Sequence, residues 1–144
     1  MEIFNYEVSD ELSDGTWVTI ETPGGDFKIK IANVAKNEYQ SKIDKERKNY
    51  FSKNKKIGRK VSNEDWIEEG LTAMLPNFIA NNILLDWEGL TKDGKPIPFN
   101  KELAEKFCSK KFPTISKQIF DAVGDIENFF VKNLEEAVDE AKNI

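Results

Sequence analysis

Side chains that could perform catalysis are scarce in this sequence. The chain contains no histidine, which removes the commonest general base, the commonest metal ligand and the Ser-His and Cys-His arrangements of nucleophilic hydrolases. The single cysteine, Cys108, has Lys106, Lys110 and Lys111 near it in sequence, and positive neighbours can lower a thiol pKa. A cysteine on the flank of an amphipathic helix is more often a small packing residue. We therefore interpret Cys108 as structural.

Carboxylates are plentiful, but their spacing predicts neither an acid–base pair nor a metal site. Glu68 and Glu69 are adjacent on a predicted helix and so point in different directions. Asp86, Glu88 and Asp93 surround a turn and could hold a hard cation, yet the ligand spacing of an EF-hand is absent. The nucleotide-binding loops GxGxxG and GxxxxGKS/T are also absent from the sequence. We therefore expect no metal and no cofactor.

The overall charge and the single cysteine restrict the partners and the compartment. A formal net charge of -5 and an isoelectric point of about 4.9 argue against nucleic-acid binding, which needs a dense basic face. One cysteine cannot form an intramolecular disulfide, which fits a reducing compartment such as the cytoplasm. The sequence lacks the pattern of a signal peptide and the ~20 apolar residues of a membrane span. We expect a soluble intracellular protein without membrane contact.

The first 33 residues have the pattern of a small β-sheet. Apolar and polar side chains alternate in residues 1–8, 16–22 and 26–31, which is the period of a half-buried strand. Pro23, Gly24 and Gly25 separate the last two runs and are typical of a hairpin turn, because glycine tolerates a positive φ. The pattern predicts an antiparallel sheet of about three strands.

Helical spacing of apolar residues begins at residue 37. Residues 37–52 are predicted to form a charged helix, and the basic stretch 53–60 that follows is predicted to be a mobile loop. This loop has two interpretations, a phosphate or nucleic-acid contact and a solvated linker. Single basic runs without interleaved aromatic residues are usually linkers, and we favour that interpretation.

A long apolar stripe predicts a core helix in the middle of the chain. Ser62 is suited to cap the N–H of Asp65, and the apolar stripe that follows extends to Leu84. Pro76 lies inside this stripe and lacks an N–H, so it should kink or split the helix near residues 74–75.

Two more helices complete the prediction. Asn100 is suited to cap a short helix that ends before Pro113. The longest helix starts at residue 114 or 116, and its apolar stripe continues to residue 141. The predicted fold class is α+β, with a small N-terminal antiparallel sheet in residues 1–33 and a body of about four helices in residues 37–144. The length of 144 residues fits a single domain.

The connector DWEGLTKDGKPIPFN lies between two of these predicted helices. We expect Trp87 to pack its ring at the end of the preceding helix, and Gly89 to end that helix in a left-handed conformation. The Asp-Gly pair at positions 93–94 is suited to a turn. Pro98 stiffens the return, so that Phe99 reaches the core.

This connector belongs to a longer pattern that covers most of the chain. The run LLDWEGLTKDGKPIPFNKELAEKF is followed, after a spacer, by ISKQIFDAVGDIENFF, and a lysine-rich apolar strand and a charged helix precede both. From about residue 27 to residue 130 the pattern resembles the bacteriophage tail assembly chaperones. Their helix ends in apolar-Trp-Glu-Gly, a turn carries Asp-Gly-Lys, and a Pro-Phe-Asn element opens a short helix. The matching motif residues, all of them structural, are Trp87, Gly89, Asp93, Gly94, Pro98 and Phe99.

The resemblance implies a non-enzymatic function. Such chaperones bind the long helical tape measure protein in the cytoplasm of the infected bacterium, prevent its aggregation and let tail tube subunits polymerise around it. They are not expected in the mature virion. The expected partner is therefore the tape measure protein, and the tail tube protein and a second copy of the chain are further candidates.

The client surface is expected on the last helices, because two adjacent phenylalanines exceed what one face of a helix needs. The residues of this predicted surface are Phe129, Phe130, Leu134 and Val138. Two other functions remain open at this point. One is a structural tail or connector component that stays in the virion, and the other is a small enzyme that depends on carboxylates or on the cysteine.

Overall fold

The computed structural model, which describes residues 1–134, contains a three-stranded antiparallel sheet. Its strands are β1 (Thr16–Thr22), β2 (Gly25–Ile31) and β3 (Leu84–Glu88), in the order β1-β2-β3. A separate two-stranded ribbon pairs β4 (Thr91–Lys92) with β5 (Lys95–Pro96). The predicted α+β class, with a small antiparallel sheet and a mainly helical body, is confirmed.

Helical segments of three kinds make up most of the remaining described chain. The α-helices are α1 (Asp10–Ser13), α2 (Asn37–Lys56), α3 (Asn63–Asp65), α4 (Thr72–Phe78), α5 (Lys101–Phe107) and α6 (Pro113–Gly124). Two π-helical segments, Trp66–Leu71 and Ile79–Ile83, flank α4, so helical backbone leads from α3 directly into β3. Short 3-10 helices are formed by Ile3–Tyr6, Ile126–Phe129 and Val131–Asn133.

One face of the sheet and the helices behind it form the core. In β2, Phe27, Ile29 and Ile31 are buried and alternate with more exposed residues, as the period of a strand requires. The helical segments after α2 add buried side chains to this core, among them Phe78, Ile83, Phe107, Ile119 and Phe129. The hairpin between β1 and β2 turns at residues 23–24, as predicted, and Gly25 follows with φ 126°.

The third strand is not the one that the sequence predicted. Residues 1–8 contain a surface 3-10 helix instead of a strand, and only Val8 forms an isolated bridge, to Phe130. The outer edge of β1 is covered by α6, because the Gln118 amide accepts from the Glu21 N–H at 2.8 Å and donates to the Glu21 carbonyl at 2.7 Å. The third place in the sheet lies beside β2 and is taken by β3, which was predicted as the end of a helix.

The predicted basic loop at residues 53–60 is also wrong in its first half. Helix α2 continues to Lys56, because the lysines of its last turn lie at the negative end of the helix dipole. Asn54 is buried there, and its side chain donates to the Tyr50 carbonyl at 2.8 Å. Gly58 lies two residues beyond the end of the helix, and its φ of 74° is the left-handed conformation that suits glycine.

The central helix begins as predicted but accommodates its proline differently. Ser62 accepts from the Asp65 N–H at 3.1 Å and Asp65 accepts from the Ser62 N–H at 2.8 Å, which completes a capping box. Pro76 lies inside α4, and the backbone at Met74 and Leu75 stays helical. The irregular hydrogen bonding occurs in the two π segments on either side of α4.

The predicted long C-terminal helix stops early. Helix α6 ends at Gly124, and Asp125 has extended φ and ψ angles of -95° and 99°. The Asp125 side chain accepts from the Glu127 N–H at 3.0 Å and starts a new 3-10 helix. A glycine followed by a capping aspartate therefore interrupts the apolar stripe that the sequence carries forward.

The π segment Trp66–Leu71 predicts a steric effect at Gly70. A Cβ built there lies 2.5 Å from the buried Trp66 ring and 2.8 Å from the Tyr50 ring, whereas one built at Gly124 meets nothing within 4 Å. We expect Gly70→Ala to lower the free energy of unfolding by about 1–3 kcal/mol through overpacking. The matched Gly124→Ala should be neutral or slightly stabilising. Urea unfolding of both variants checks this, and equal midpoints would contradict it.

Candidate functional site

Trp87 is a central packing residue and lies in β3 rather than at a helix end. Its side chain is 5% exposed, and its ring centroid lies 4.8 Å from that of Phe99 and 5.4 Å from that of Phe107. The indole Nε1 donates to the Ile97 carbonyl at 2.8 Å. The ring therefore connects the sheet to the segment that enters α5.

The other motif residues shape the same connector. Gly89 has φ 91° as predicted, but it ends a strand instead of a helix and lies against Phe27, whose Cβ would be 3.4 Å from an added Cβ. Asp93 and Gly94, with φ of 53° and 77°, form the two-residue turn between β4 and β5. Pro98 is exposed, and Phe99 is half-buried against the core. Gly89 and Phe99 therefore pack against the core, whereas Asp93, Gly94 and Pro98 shape an exposed stretch of backbone.

The residues predicted to bind a client do not form one surface. Phe129 is fully buried in the core, because the chain leaves helix α6 before it. Phe130 is half-buried, and its ring lies edge-on to that of Tyr6 at 6.2 Å. Leu134 is half-buried against the core. Val138 lies outside the described residues.

The segment around Phe130 joins the two ends of the described chain. The Ser9 N–H donates to the Phe129 carbonyl at 2.8 Å, and the Val131 N–H donates to the Glu7 carbonyl at 2.9 Å. Beside this contact the side chains of Ile3 and Phe4 are 63% and 75% exposed. We call the exposed apolar residues Ile3, Phe4, Tyr6, Val8 and Ile126 the N-terminal patch.

An open apolar groove lies between α4 and the corner where α5 meets α6. Its volume is about 730 Å³, and we call it the α4–α6 groove. The lining residues are Thr72, Leu75, Pro76, Cys108, Ser109, Lys110, Pro113, Ser116, Lys117 and Phe120.

The local sequence explains how the corner at this groove is held. Pro113 is the first residue of α6, where its missing N–H leaves no helical hydrogen bond unmade. The Ser116 hydroxyl donates to the Cys108 carbonyl at 3.3 Å and ties α6 to the end of α5. The Leu75 and Pro76 side chains, both half-buried, line the groove from α4.

Lysines at the α4–α6 groove give it a positive rim. Lys110 and Lys117 both line it and are both exposed, and within residues 1–134 the ion pair of Lys117 is a long one, 3.9 Å from Asp121. Cys108 is 3% exposed, and burial raises the pKa of its thiol to about 12. The lysines near it in sequence therefore do not activate it, and the packing interpretation of Cys108 is the one that fits.

A second groove, which we call the α2 groove, is of similar size but different character. It measures about 750 Å³ and lies between α2 and the central helix. The amides of Asn54, Asn77 and Asn81 line it, together with a bidentate ion pair in which Arg59 donates to Glu69 at 2.8 and 2.9 Å. These hydrogen bonds lower the pKa of Glu69. Among its polar side chains Asn54, Asn81 and the Arg59–Glu69 pair have hydrogen-bond partners, whereas the buried Tyr50 hydroxyl in the same wall has none among the described residues.

The sequence analysis missed the α4–α6 groove. Lys110 was considered only for its effect on Cys108, Leu75 was placed in the apolar core stripe of the central helix, and Phe120 was not singled out. The signal that was available is the run KFCSKKFPTISKQIF, in which lysines alternate with apolar residues around a proline.

Two classes of site are absent from the part of the chain that the structure describes. Within residues 1–134, no three His, Cys, Asp or Glu side chains come together as metal ligands would. None of the helices in these residues has the length and apolar content that crossing a bilayer requires.

The packing of Trp87 makes a graded prediction for two substitutions. Trp87→Ala should lower the free energy of unfolding by about 3–5 kcal/mol, because it leaves a cavity between Phe99 and Phe107. Trp87→Phe keeps an aromatic ring but removes the hydrogen bond to Ile97, and should cost about 1–2 kcal/mol. Thermal melts of the variants measure both effects, and a melt of Trp87→Ala that matches wild type would refute the role of the ring.

The raised pKa of Cys108 predicts a loss of stability at high pH. The unfolded thiol ionises near pH 9 and the folded thiol near pH 12, so the contribution is complete below pH 9 and is lost as the pH rises toward 12. The slope reaches at most about 1.4 kcal/mol per pH unit. The free energy of unfolding of wild type and of Cys108→Ala is measured by urea unfolding between pH 8 and 11. The difference between the two proteins should show this slope, because the other titrating groups contribute equally to both. A flat difference would contradict the assignment.

Residues 34–140 match the model of a family described as YdaY prophage protein. No curated protein and no solved structure matches the chain.

Proposed function

Because the chain belongs to the YdaY prophage protein family and is therefore phage-derived, we propose that it is a tail assembly chaperone for the tape measure protein. In this proposal it binds apolar helical surface of the client, prevents its aggregation and promotes assembly of the tail tube around it. The prophage family supports the phage origin, and the sequence resemblance from about residue 27 to residue 130 supports the choice among phage functions.

The single observation that carries the proposal is the α4–α6 groove. A chaperone for a helical client needs apolar surface that its own core does not consume, and an open groove can take an amphipathic helix. Leu75, Pro76 and Phe120 present such surface, while the net charge of -5 favours solubility of a complex.

The remaining parts of the proposal follow from this function. The protein is not an enzyme, and its work is done in the cytoplasm of the infected bacterium before the virion is complete. Its principal partner is the tape measure protein, and the tail tube protein and a second copy of the chain are further candidates. It acts without a cofactor, nucleic acid or membrane.

One observation favours a second candidate function, a structural tail or connector component retained in the virion. The N-terminal patch exposes large side chains such as Phe4, and subunits of an assembly commonly cover such patches with neighbouring subunits. Mass spectrometry of purified virions separates the two functions, because a chaperone is absent or substoichiometric there. Stoichiometric presence of the chain would establish the structural alternative.

Co-expression with the tape measure protein of the same phage tests the chaperone function. We expect the tape measure protein to be insoluble when expressed alone, and to become soluble and to copurify with the chain when both are expressed. Maltose-binding protein, expressed untethered at the same level, is the control for a general effect of a soluble protein. An insoluble tape measure protein beside abundant soluble chain would contradict the proposal.

A further inference from the structure

We propose that the α4–α6 groove binds one amphipathic helix whose apolar stripe is flanked by acidic side chains. This inference rests on the proposed function and adds the chemistry of the client segment and the place where it docks.

The apolar floor of the groove determines which side chains of the partner helix fit into it. Leu75, Pro76 and Phe120 supply aliphatic and aromatic surface, and the buried Cys108 closes the bottom as an uncharged thiol. A volume of about 730 Å³ is in the range of sites that enclose a few side chains. Two or three apolar side chains at i, i+3 and i+4 on one helix face match such a groove.

The charged rim of the groove determines which sign of charge is favoured on the flanks of the partner helix. Lys110 lies on the corner between α5 and α6 and Lys117 lies on α6, so two ammonium groups border the apolar floor. This is a local reversal of sign in a protein whose net charge is -5. An acidic flank on the partner pairs with this rim, whereas a basic flank is repelled by it.

The other two exposed surfaces fit this partner less well. The α2 groove has the partly exposed Arg59–Glu69 ion pair along its wall, and an apolar stripe docked there would remove water from both charges, which costs free energy. The N-terminal patch is apolar and has the Lys132 ammonium group 5.4 Å from the Tyr6 ring centroid, but Glu2 and Glu7 lie within its segment and outnumber that charge, so an acidic flank is less favoured there.

A charge swap between protein and peptide tests the docking site without the natural client. The probes are two labelled helical peptides with the same leucine stripe, one flanked by glutamates and the other by lysines. Wild type should bind the glutamate peptide about tenfold or more tighter than the lysine peptide. The double variant Lys110→Glu, Lys117→Glu should reverse that preference. No preference in wild type, or an unchanged preference in the variant, would overturn the proposal.

A matched variant controls for net charge. Lys45→Glu, Lys92→Glu makes the same change in charge at two exposed positions on α2 and β4, and it should leave the preference of wild type intact. Chemical-shift mapping of the glutamate peptide should move the signals of residues 72–76 and 108–120. A footprint confined to residues 1–8 or to α2 would overturn the assignment.

Other occupants of the groove give different results. If sedimentation shows a dimer that the Lys110→Glu, Lys117→Glu variant dissociates, the occupant is a second copy of the chain. If replacing Glu135, Glu136, Asp139 and Glu140 by amides raises peptide affinity about tenfold, the occupant is this stretch of the chain itself. Either result overturns the proposal of a client helix.

Co-expression separates this inference from the proposed function. When wild type solubilises the tape measure protein, the Lys110→Glu, Lys117→Glu variant should fail and the Lys45→Glu, Lys92→Glu variant should succeed. Success of both variants would overturn the groove and leave the chaperone function standing. Failure of wild type would overturn the chaperone function, and the peptide experiment would still decide the groove.

Discussion

The position of Trp87 in β3 is the constraint on which most of this structure depends. Trp87 lies opposite Ile29 in the sheet register, and its ring contacts Phe99 and Phe107 on the helical side. The same side chain therefore joins the sheet to α5, and its N–H holds the returning backbone at Ile97. The turn residues Asp93 and Gly94 are exposed, whereas Trp87 is buried in the core. A mostly polar connector therefore begins with a large aromatic residue because its first part still belongs to the sheet.

Local sequence signals predicted the caps and turns correctly and the third strand incorrectly. The Ser62 and Asn100 caps and the Asp-Gly turn depend on side chains within three residues of the groups they bond, and all are present. The pairing of β3 with β2 joins segments more than fifty residues apart, and no local pattern reports it. Leu84 continued the periodicity of a helix, so the end of that helix at Ile83 was hidden by its own apolar neighbours.

The candidate site was harder to predict than the fold for a related reason. Phe129 and Phe130 were assigned to one helical surface, but Gly124 and Asp125 end α6 and direct Phe129 into the core. The α4–α6 groove combines residues that are far apart in sequence, and each of them alone has an ordinary explanation. Leu75 is a plausible core residue and Lys110 a plausible solvated charge. Only their placement on two facing elements gives the groove its apolar floor and positive rim.

The hydrogen bonds that join residues 7–9 to residues 129–131 have a consequence for biosynthesis. Ribosomes synthesise the chain from its amino-terminal side. The hydrogen bond from the Ser9 N–H to the Phe129 carbonyl can therefore form only after Phe129 has been synthesised. The edge of β1 waits similarly for Gln118. Contacts of such long sequence separation close slowly, because the chain loses loop entropy before they form. Until those residues are synthesised, the Ser9 N–H and the edge of β1 lack the partners that they have in the folded protein.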